Sequence, residues 1–281
     1  MALPIEKLGT VYDERVDVID GERAKAYAAA TNDDNPAYTS GKFAPPVFAV
    51  VPTWEAMGLA VGDVVPGDAL MMIVHGEQDI HFAQPLVPGA RLRTAAEAHS
   101  VRVSNSGTRY TVKVRSLDDA TDDLVVEQYV TMFIRGMADG DPGGPDKPDH
   151  TFDEAARSDL VGEYSVHVDD DQTYRYKEAS GDNMPIHVDD AFAKSVGLPG
   201  IIAHGLCTMA MTSQAVLRLT ADSDPARLRR LAVRFAKPVL PGNDVVTSVY
   251  RSVSGSRSRY PFEASSAGVP VISHGLAEVD A

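Results

Sequence analysis

An internal echo limits the possible folds more than any other feature of this chain. Tyr27–Pro36 (YAAATNDDNP) lies over Tyr176–Pro185 (YKEASGDNMP) at an offset of 149 residues (176 − 27). Further along, Phe82–Gly89 (FAQPLVPG) matches Phe235–Gly242 (FAKPVLPG) at an offset of 153 (235 − 82). Two motifs in the same order at nearly the same offset indicate a duplicated unit. A period this long is a domain duplication, not a solenoid repeat. Between the copies, Gly136–His150 (GMADGDPGGPDKPDH) is crowded with Gly, Pro and Asp and has almost nothing to bury. It reads as a linker between units at residues 1–135 and 151–281, each of ordinary domain size.

Both copies follow one coarse plan. A short strand precedes a polar-capped helix, and the helix leads into an Asp-rich loop. In the second copy the helix is expected over Gln172–Ala179, with Asp169, Asp170 or Asp171 as its cap. A longer apolar helix follows at Ile201–Leu219, and more loosely at Val47–Val61 in the first copy, where Pro52 intervenes. Then come runs rich in Val, Thr, Tyr and Phe. They are Met72–Ala83, Ala90–Val103, Thr108–Ser116 and Leu124–Ile134 in the first copy, and Leu228–Ala236, Asp244–Val253, Arg257–Ser265 and Pro270–Glu278 in the second. A long helix followed by consecutive strands predicts an α+β unit in which an antiparallel sheet wraps one helix. Two tandem units would set two such sheets side by side.

Charge and cysteine content exclude several classes. The formal net charge of −14 and the lack of a basic run argue against nucleic-acid binding, although a few local cations suffice for a phosphorylated small molecule. A single cysteine, Cys207, permits no intrachain disulfide and suits a reducing compartment. The N-terminus has no signal-peptide pattern, and no uninterrupted apolar stretch reaches the roughly 18–20 residues of a membrane span. A cytoplasmic protein is expected.

The chemistry concentrates in Ser180–His187 (SGDNMPIH). Ser180 and Gly181 make a turn and Pro185 stiffens its exit, so Asp182 and His187 share a short, constrained loop. A carboxylate beside an imidazole can hold one water between them, one group taking its proton while the other orients it or donates to the substrate. Either residue alone is more often structural. Their pairing with a downstream His204-Gly205 step favours catalysis. Gly205 falls at the start of the apolar helix, where free N–H groups and the absence of a side chain suit an oxyanion hole for a thioester carbonyl. Tight helix–sheet packing would also explain that glycine, and His204 could contact substrate or serve the helix start. Asp182, His187 and His204 match no standard metal-ligand spacing. Cys207 and Ser180 lack the context of an activated nucleophile.

These residues resemble the MaoC-like dehydratases, the (R)-specific (type 2) enoyl-CoA hydratases. The resemblance rests on Tyr176, Ser180-Gly181-Asp182, Pro185-Ile186-His187, Asp189, Ala191-Phe192-Ala193 and Ile201–Cys207 (IIAHGLC), with Phe235–Gly242 as a further familial element. It implies a double hot-dog fold, Asp182 and His187 as the water-activating dyad, and the Gly205 N–H as oxyanion donor. The implied reaction is reversible hydration of a trans-2-enoyl-CoA to a (3R)-hydroxyacyl-CoA without metal or organic cofactor. The substrate is an acyl-CoA or acyl-carrier-protein thioester, and a homodimer is compatible with the fold. Ser180, Asn183, Met184, His204, Arg234 and Lys237 are the candidate substrate-contacting residues. Arg251, Arg257 and Arg259 are further candidates for the coenzyme phosphates.

Two departures stand out. Met184 occupies the family's usual Asn position, and Met cannot replace an amide's hydrogen bonds. The first copy has Tyr38 where the second has His187, and Pro45-Pro46 where the second has His-Gly. A phenol is a poor base at neutral pH and proline has no N–H to donate, so the first copy is expected to be non-catalytic. Thioester hydrolysis and non-catalytic thioester binding are the competing readings. Hydrolysis is disfavoured because Ile201–Leu219 carries no carboxylate.

Overall fold

The computed structural model describes residues 2–254 and 257–281, and the Arg257 side chain lies outside the described residues. In chain order the elements are β1 (Arg15–Val18), α1 (Gly21–Ala30), α2 (Pro36–Thr39), α3 (Trp54–Val64), β2 (Ile73–Phe82), β3 (Arg91–Ser104), β4 (Gly107–Asp118) and β5 (Leu124–Arg135). The second copy supplies β6 (Leu160–His167), α4 (Gln172–Ser180), α5 (Asp190–Ser195), α6 (Gly205–Thr220), β7 (Leu228–Phe235), β8 (Asp244–Tyr250), β9 (Ser252–Ser254), β10 (Arg257–Ser266) and β11 (Val269–Val279).

The β-branched and aromatic runs become strands within two residues of most expected bounds. β3 shows why. Leu92, Thr94, Ala96 and Ala98 alternate into the core while their neighbours face outward. Every pairing is antiparallel. The order is β1-β3-β4-β5-β2-β7-β11-β10-β8-β6, with β9 beside β10. Outward from the centre, the two halves of this list repeat the same connectivity, as a duplication requires. They do not form two separate sheets. β2 bonds to β7 from Glu77↔Arg234 to His81↔Arg230, which joins both copies into one sheet.

That seam carries a buried ion pair. Arg230 donates to both Asp79 oxygens (3.0 and 2.7 Å) and to the Asp149 carbonyl (2.9 Å). Burial alone would raise the Asp79 carboxyl, but His81 and Arg230 outweigh it and hold it at about 2. The Gly136–His150 segment crosses the same region and is not a free tether. Gly143 pairs with Val101, Lys147 meets Glu77, and buried His150 bonds to the His274 carbonyl. Gly144, at φ +75°, lies so close to the sheet that a Cβ would sit 2.1 Å from the His99 carbonyl oxygen.

The helices depart from expectation in three places. α6 begins at Gly205, not Ile201, because residues 201–204 stay extended: Ile202 N–H donates to Ile186 and Ala203 N–H to Val239. Residues from Pro46 to Thr53 form a buried 3-10 segment ahead of α3, where the interior Pro52 lacks the N–H that a continuous α-helix needs. Asp171 stands at the start of α4 without a side-chain capping bond, because its carboxylate is taken by Arg175 at 2.9 Å. In the first copy Asp20 does cap α1, accepting from Glu22 and Arg23 N–H. The Pro46–Val64 stretch is long and apolar enough to cross a membrane by length and composition, but half of it is buried within the protein. α6 is buried from Leu206 to Leu217. Each large apolar side chain there contributes on the order of 1.5–3 kcal/mol.

Candidate active site

The loop after α4 is shaped by its own hydrogen bonds. Gly181 takes φ +82° and donates to the Lys177 carbonyl, which closes the helix in a left-handed cap. The chain then reverses, so that the Asp182 N–H donates to the Ser180 hydroxyl at 3.1 Å. Asp182 Oδ1 accepts from the Met184 N–H at 3.1 Å, an Asx turn that leaves the other oxygen for chemistry. Pro185–His187 form one 3-10 turn, which brings His187 back over the loop.

His187 Nδ1 lies 2.8 Å from the Ile202 carbonyl. A carbonyl only accepts, so Nδ1 carries the proton and Nε2 keeps its lone pair. Burial lowers the pKa of His187, with the Ile202 bond and Asp182 working in the other direction. His204 stacks on His187 at 3.8 Å between ring centroids, and its Nε2–H donates to the Asp182 backbone carbonyl at 3.2 Å. Burial and the neighbouring His187 push His204 down to about 4. Tyr176 covers its outer face at 4.8 Å. His204 thus ties the Asp182 loop to the start of α6.

Gly205 is the first residue of α6, so its N–H has no acceptor within the helix. The Phe235 ring would lie 3.3 Å from a Cβ at this position, so tight packing constrains the glycine as well. The Pro-Gly element after β7 supports the same spot. Phe235 packs on Gly205, and the Val239 carbonyl holds the Ala203 N–H.

An Asp182 oxygen and one ring nitrogen from each of His187 and His204 all lie within 4.8 Å of one another. Such a triad could suggest a metal. The two imidazoles are tilted by only 25°, however, so their in-plane lone pairs run side by side and do not converge on one ion. The arrangement fits proton transfer better than coordination.

The other candidates separate. Asn183 is exposed, its amide donating to the Gly181 carbonyl, and Met184 is 43% exposed beside the dyad. Ser180 is 1% exposed and its hydroxyl is spent on the loop. Arg234 is not brought to the dyad. Side chains alternate along β7, and with Phe235 against α6, Arg234 faces the other side of the sheet, with Glu77. Lys237 is exposed beyond the end of β7, and Arg251 is exposed. Arg259 pairs with Glu278 at 3.7 Å.

Residues of the first copy that carry no local signal reach the site. Arg23 and Trp54 donate to carbonyls at the end of α4, and Tyr27 bonds to Tyr176. Of these, Tyr27 carries a sequence signal, as the counterpart of Tyr176 in the repeat. His75 on β2 packs against Phe235 at 5.0 Å, and burial holds it at about 4 despite the opposing influence of Asp182. The equivalent loop of the first copy keeps the same Asx turn, Asp33 Oδ1 accepting from Asn35 N–H. Its Tyr38 is buried with an unpartnered hydroxyl.

A family model described as "MaoC like domain" matches residues 152–261, and one described as "MFE-2 hydratase 2 N-terminal domain" matches residues 38–136. The chain is 31% identical over 221 residues to 3-hydroxyacyl-thioester dehydratase Y of Mycobacterium tuberculosis, covering 75% of this chain and 71% of that one. It is 26% identical over 212 residues to the probable enoyl-CoA hydratase 2 of Dictyostelium discoideum, with the same coverage of each chain, 75% and 71%. The crystal structure of a MaoC-like dehydratase from Phytophthora capsici superposes with a TM-score of 0.88 at 23% identity, over 98% of this chain and 97% of that one. A Mycobacterium tuberculosis protein described as having a double hotdog fold gives a TM-score of 0.61 at 14% identity, over 96% and 95%. The two structural likenesses establish the double hot-dog fold, and the sequence relationships establish the lineage: this chain belongs to the MaoC-like family of hydratases and dehydratases.

Proposed function

We propose that the protein catalyses the reversible hydration of a trans-2-enoyl thioester to the (3R)-hydroxyacyl thioester, as a hydro-lyase. The observation that carries this reading is the His187 Nδ1–Ile202 bond. It leaves Nε2 unprotonated on an imidazole that lies beside the Asp182 carboxylate. In the hydration direction a water held between Asp182 and His187 adds its oxygen to C3 of the substrate, and His187 Nε2 takes the proton. Negative charge collects on the thioester oxygen, where the Gly205 N–H and the start of α6 stabilise it. The proton then returns to C2, which completes the addition of water and restores the dyad.

The first copy has no equivalent base. Tyr38 is buried, and burial together with Asp33 raises its pKa well above the usual phenol range. Pro45 and Pro46 stand where an oxyanion donor would be needed. The relatives named as hydratases and dehydratases support the assignment of chemistry, and the dyad geometry supports the assignment of residues.

The test is an incubation with a trans-2-enoyl-CoA while enoyl absorbance and free thiol are followed together. Hydration removes the absorbance and releases no thiol. Asp182→Asn and His187→Ala are expected to abolish the signal, and Tyr38→Phe to preserve it. Release of thiol would mean hydrolysis, and full activity in either dyad variant would remove that residue from the mechanism.

A further inference from the structure

We infer that the first copy acts on the reaction through a two-residue clamp, Arg23 and Trp54, which fixes the position of Asp182. This rests on the dyad reading above and extends it to positioning residues outside the dyad. Arg23 Nε donates to the Ala179 carbonyl at 2.8 Å and a terminal guanidinium nitrogen donates to the Ser180 carbonyl at 2.9 Å. Trp54 Nε1 donates to the same Ser180 carbonyl at 3.0 Å. These are among the last carbonyls of α4, which the helix cannot satisfy itself. Ser180 therefore receives two donors from the other copy on its carbonyl, while its hydroxyl accepts the Asp182 N–H. Any displacement of Ser180 passes to Asp182 through that bond. A Cβ on Gly181 would come within 2.9 Å of the Arg23 guanidinium, so the clamp lies directly on the loop backbone.

The duplication has built this device twice, and the second instance is an internal control. The Gln172 side chain donates to the Ala30 carbonyl, and Gln214 Nε2 donates to the Thr31 carbonyl at 2.7 Å. Ala30 and Thr31 are the counterparts of Ala179 and Ser180 at the offset of 149. Each copy thus holds the loop of the other. The loop with His187 is held by Arg23 and Trp54, while the loop with Tyr38 is held by Gln172 and Gln214, with Arg175 adding bonds to the Ala29 carbonyl and to Asn32 Oδ1. If these bonds merely glued the copies together, breaking either set would have the same consequence. If Arg23 and Trp54 position the dyad, the consequences differ.

The experiment compares Arg23→Met and Trp54→Phe with Gln214→Met in the full chain, measuring steady-state hydration of a trans-2-enoyl-CoA, its pH profile and thermal unfolding. Trp54→Phe keeps the ring and removes only the donor. Arg23→Met and Trp54→Phe are expected to lower kcat by roughly 10-fold or more, since small misplacements of a catalytic group cost this much, with KM within about 2-fold. The acid limb of kcat/KM should also move to lower pH, because Asp182 is one of the groups that raise the His187 pKa. Gln214→Met should lower the unfolding temperature with kcat and the acid limb unchanged. Should Arg23→Met fold poorly, Arg23→Lys, which cannot fork across two carbonyls, takes its place. Unchanged kcat in the Arg23 and Trp54 variants, or an equal loss in Gln214→Met, overturns the clamp. Failure of the dyad itself would register separately, as hydration surviving in Asp182→Asn.

Discussion

Tyr27 and Tyr176, equivalent residues 149 positions apart, hydrogen-bond to each other, hydroxyl to hydroxyl, at 2.9 Å. Both are buried, their rings meet at 5.2 Å, and α1 and α4 pack across this point. The bond marks the place where the two copies of the duplicated unit face one another. Tyr176 also covers His204, so the contact leads directly to the stacked histidines.

Removing one hydroxyl strands the other. Tyr27→Phe or Tyr176→Phe is expected to cost about 1–3 kcal/mol, the penalty of a buried polar group without a partner. The double variant should cost less than the sum of the singles, because neither hydroxyl is then left unpaired. Urea denaturation of the four proteins measures the coupling, and strict additivity would argue that the bond is absent in solution.

The acid side of the activity profile reports on His187. In the proposed mechanism His187 must be unprotonated, and burial lowers its pKa from the usual 6.5. Activity is therefore expected to persist below pH 6.5 and to fall with an apparent pKa beneath that value. Measurement of kcat/KM from about pH 4.5 to 8 decides this. A limb centred above 6.5 would point to another group.

Met184 lacks a function that its counterpart performs. In the first copy Asn35 caps the following turn by accepting from Ala37 N–H at 3.0 Å, and its amide donates to the Ser223 carbonyl at 2.8 Å. Met184 heads the equivalent turn with no side-chain cap. Met184→Asn should therefore stabilise the protein by about 0.5–2 kcal/mol, the usual worth of such a cap. Unfolding midpoints with and without the substitution provide the check; a destabilised variant would mean that the exposed thioether makes contacts worth more than the cap.

Asp33 should make stability fall as pH rises. Burial lifts its carboxyl to about 6 from 3.8, so the folded state favours the protonated form. That contribution is complete below pH 3.8 and is lost as pH rises through 6, a change on the order of 3 kcal/mol. Asp33→Asn keeps an acceptor for the Asn35 N–H without the charge. Its advantage over the parent protein should be near zero at pH 4 and reach about 2–3 kcal/mol at pH 8. Equal denaturation midpoints at both pH values would contradict this.

Much was legible in the sequence because it depends on neighbours in the chain. Alternation over Arg91–Ser104 makes a strand wherever that segment is placed. The Ser180–His187 loop folds on its own bonds, from Ser180 to Asp182 and from Asp182 to Met184, each spanning two residues. The sequence points to a helix start at Ile201 and the structure puts it at Gly205, because the carbonyls that keep Ile202 and Ala203 extended belong to Ile186 and Val239, 16 and 36 residues away.

The amino-acid order alone determined the duplication, the strand-rich copies, the candidate loop Ser180–His187 and the Tyr38 that stands in place of His187 in the first copy. Tertiary structure decided what those parts do for one another. It merged two sheets into one at β2 and β7, turned Arg234 away from α6, and stacked His204 on His187. It also set Arg23 and Trp54 on carbonyls 156, 157 and 126 residues away. The physical reason is the range of the forces. Propensity and turn chemistry act over a few residues and leave a local pattern, whereas an N–H that finds a carbonyl across the fold leaves none until both copies are packed together.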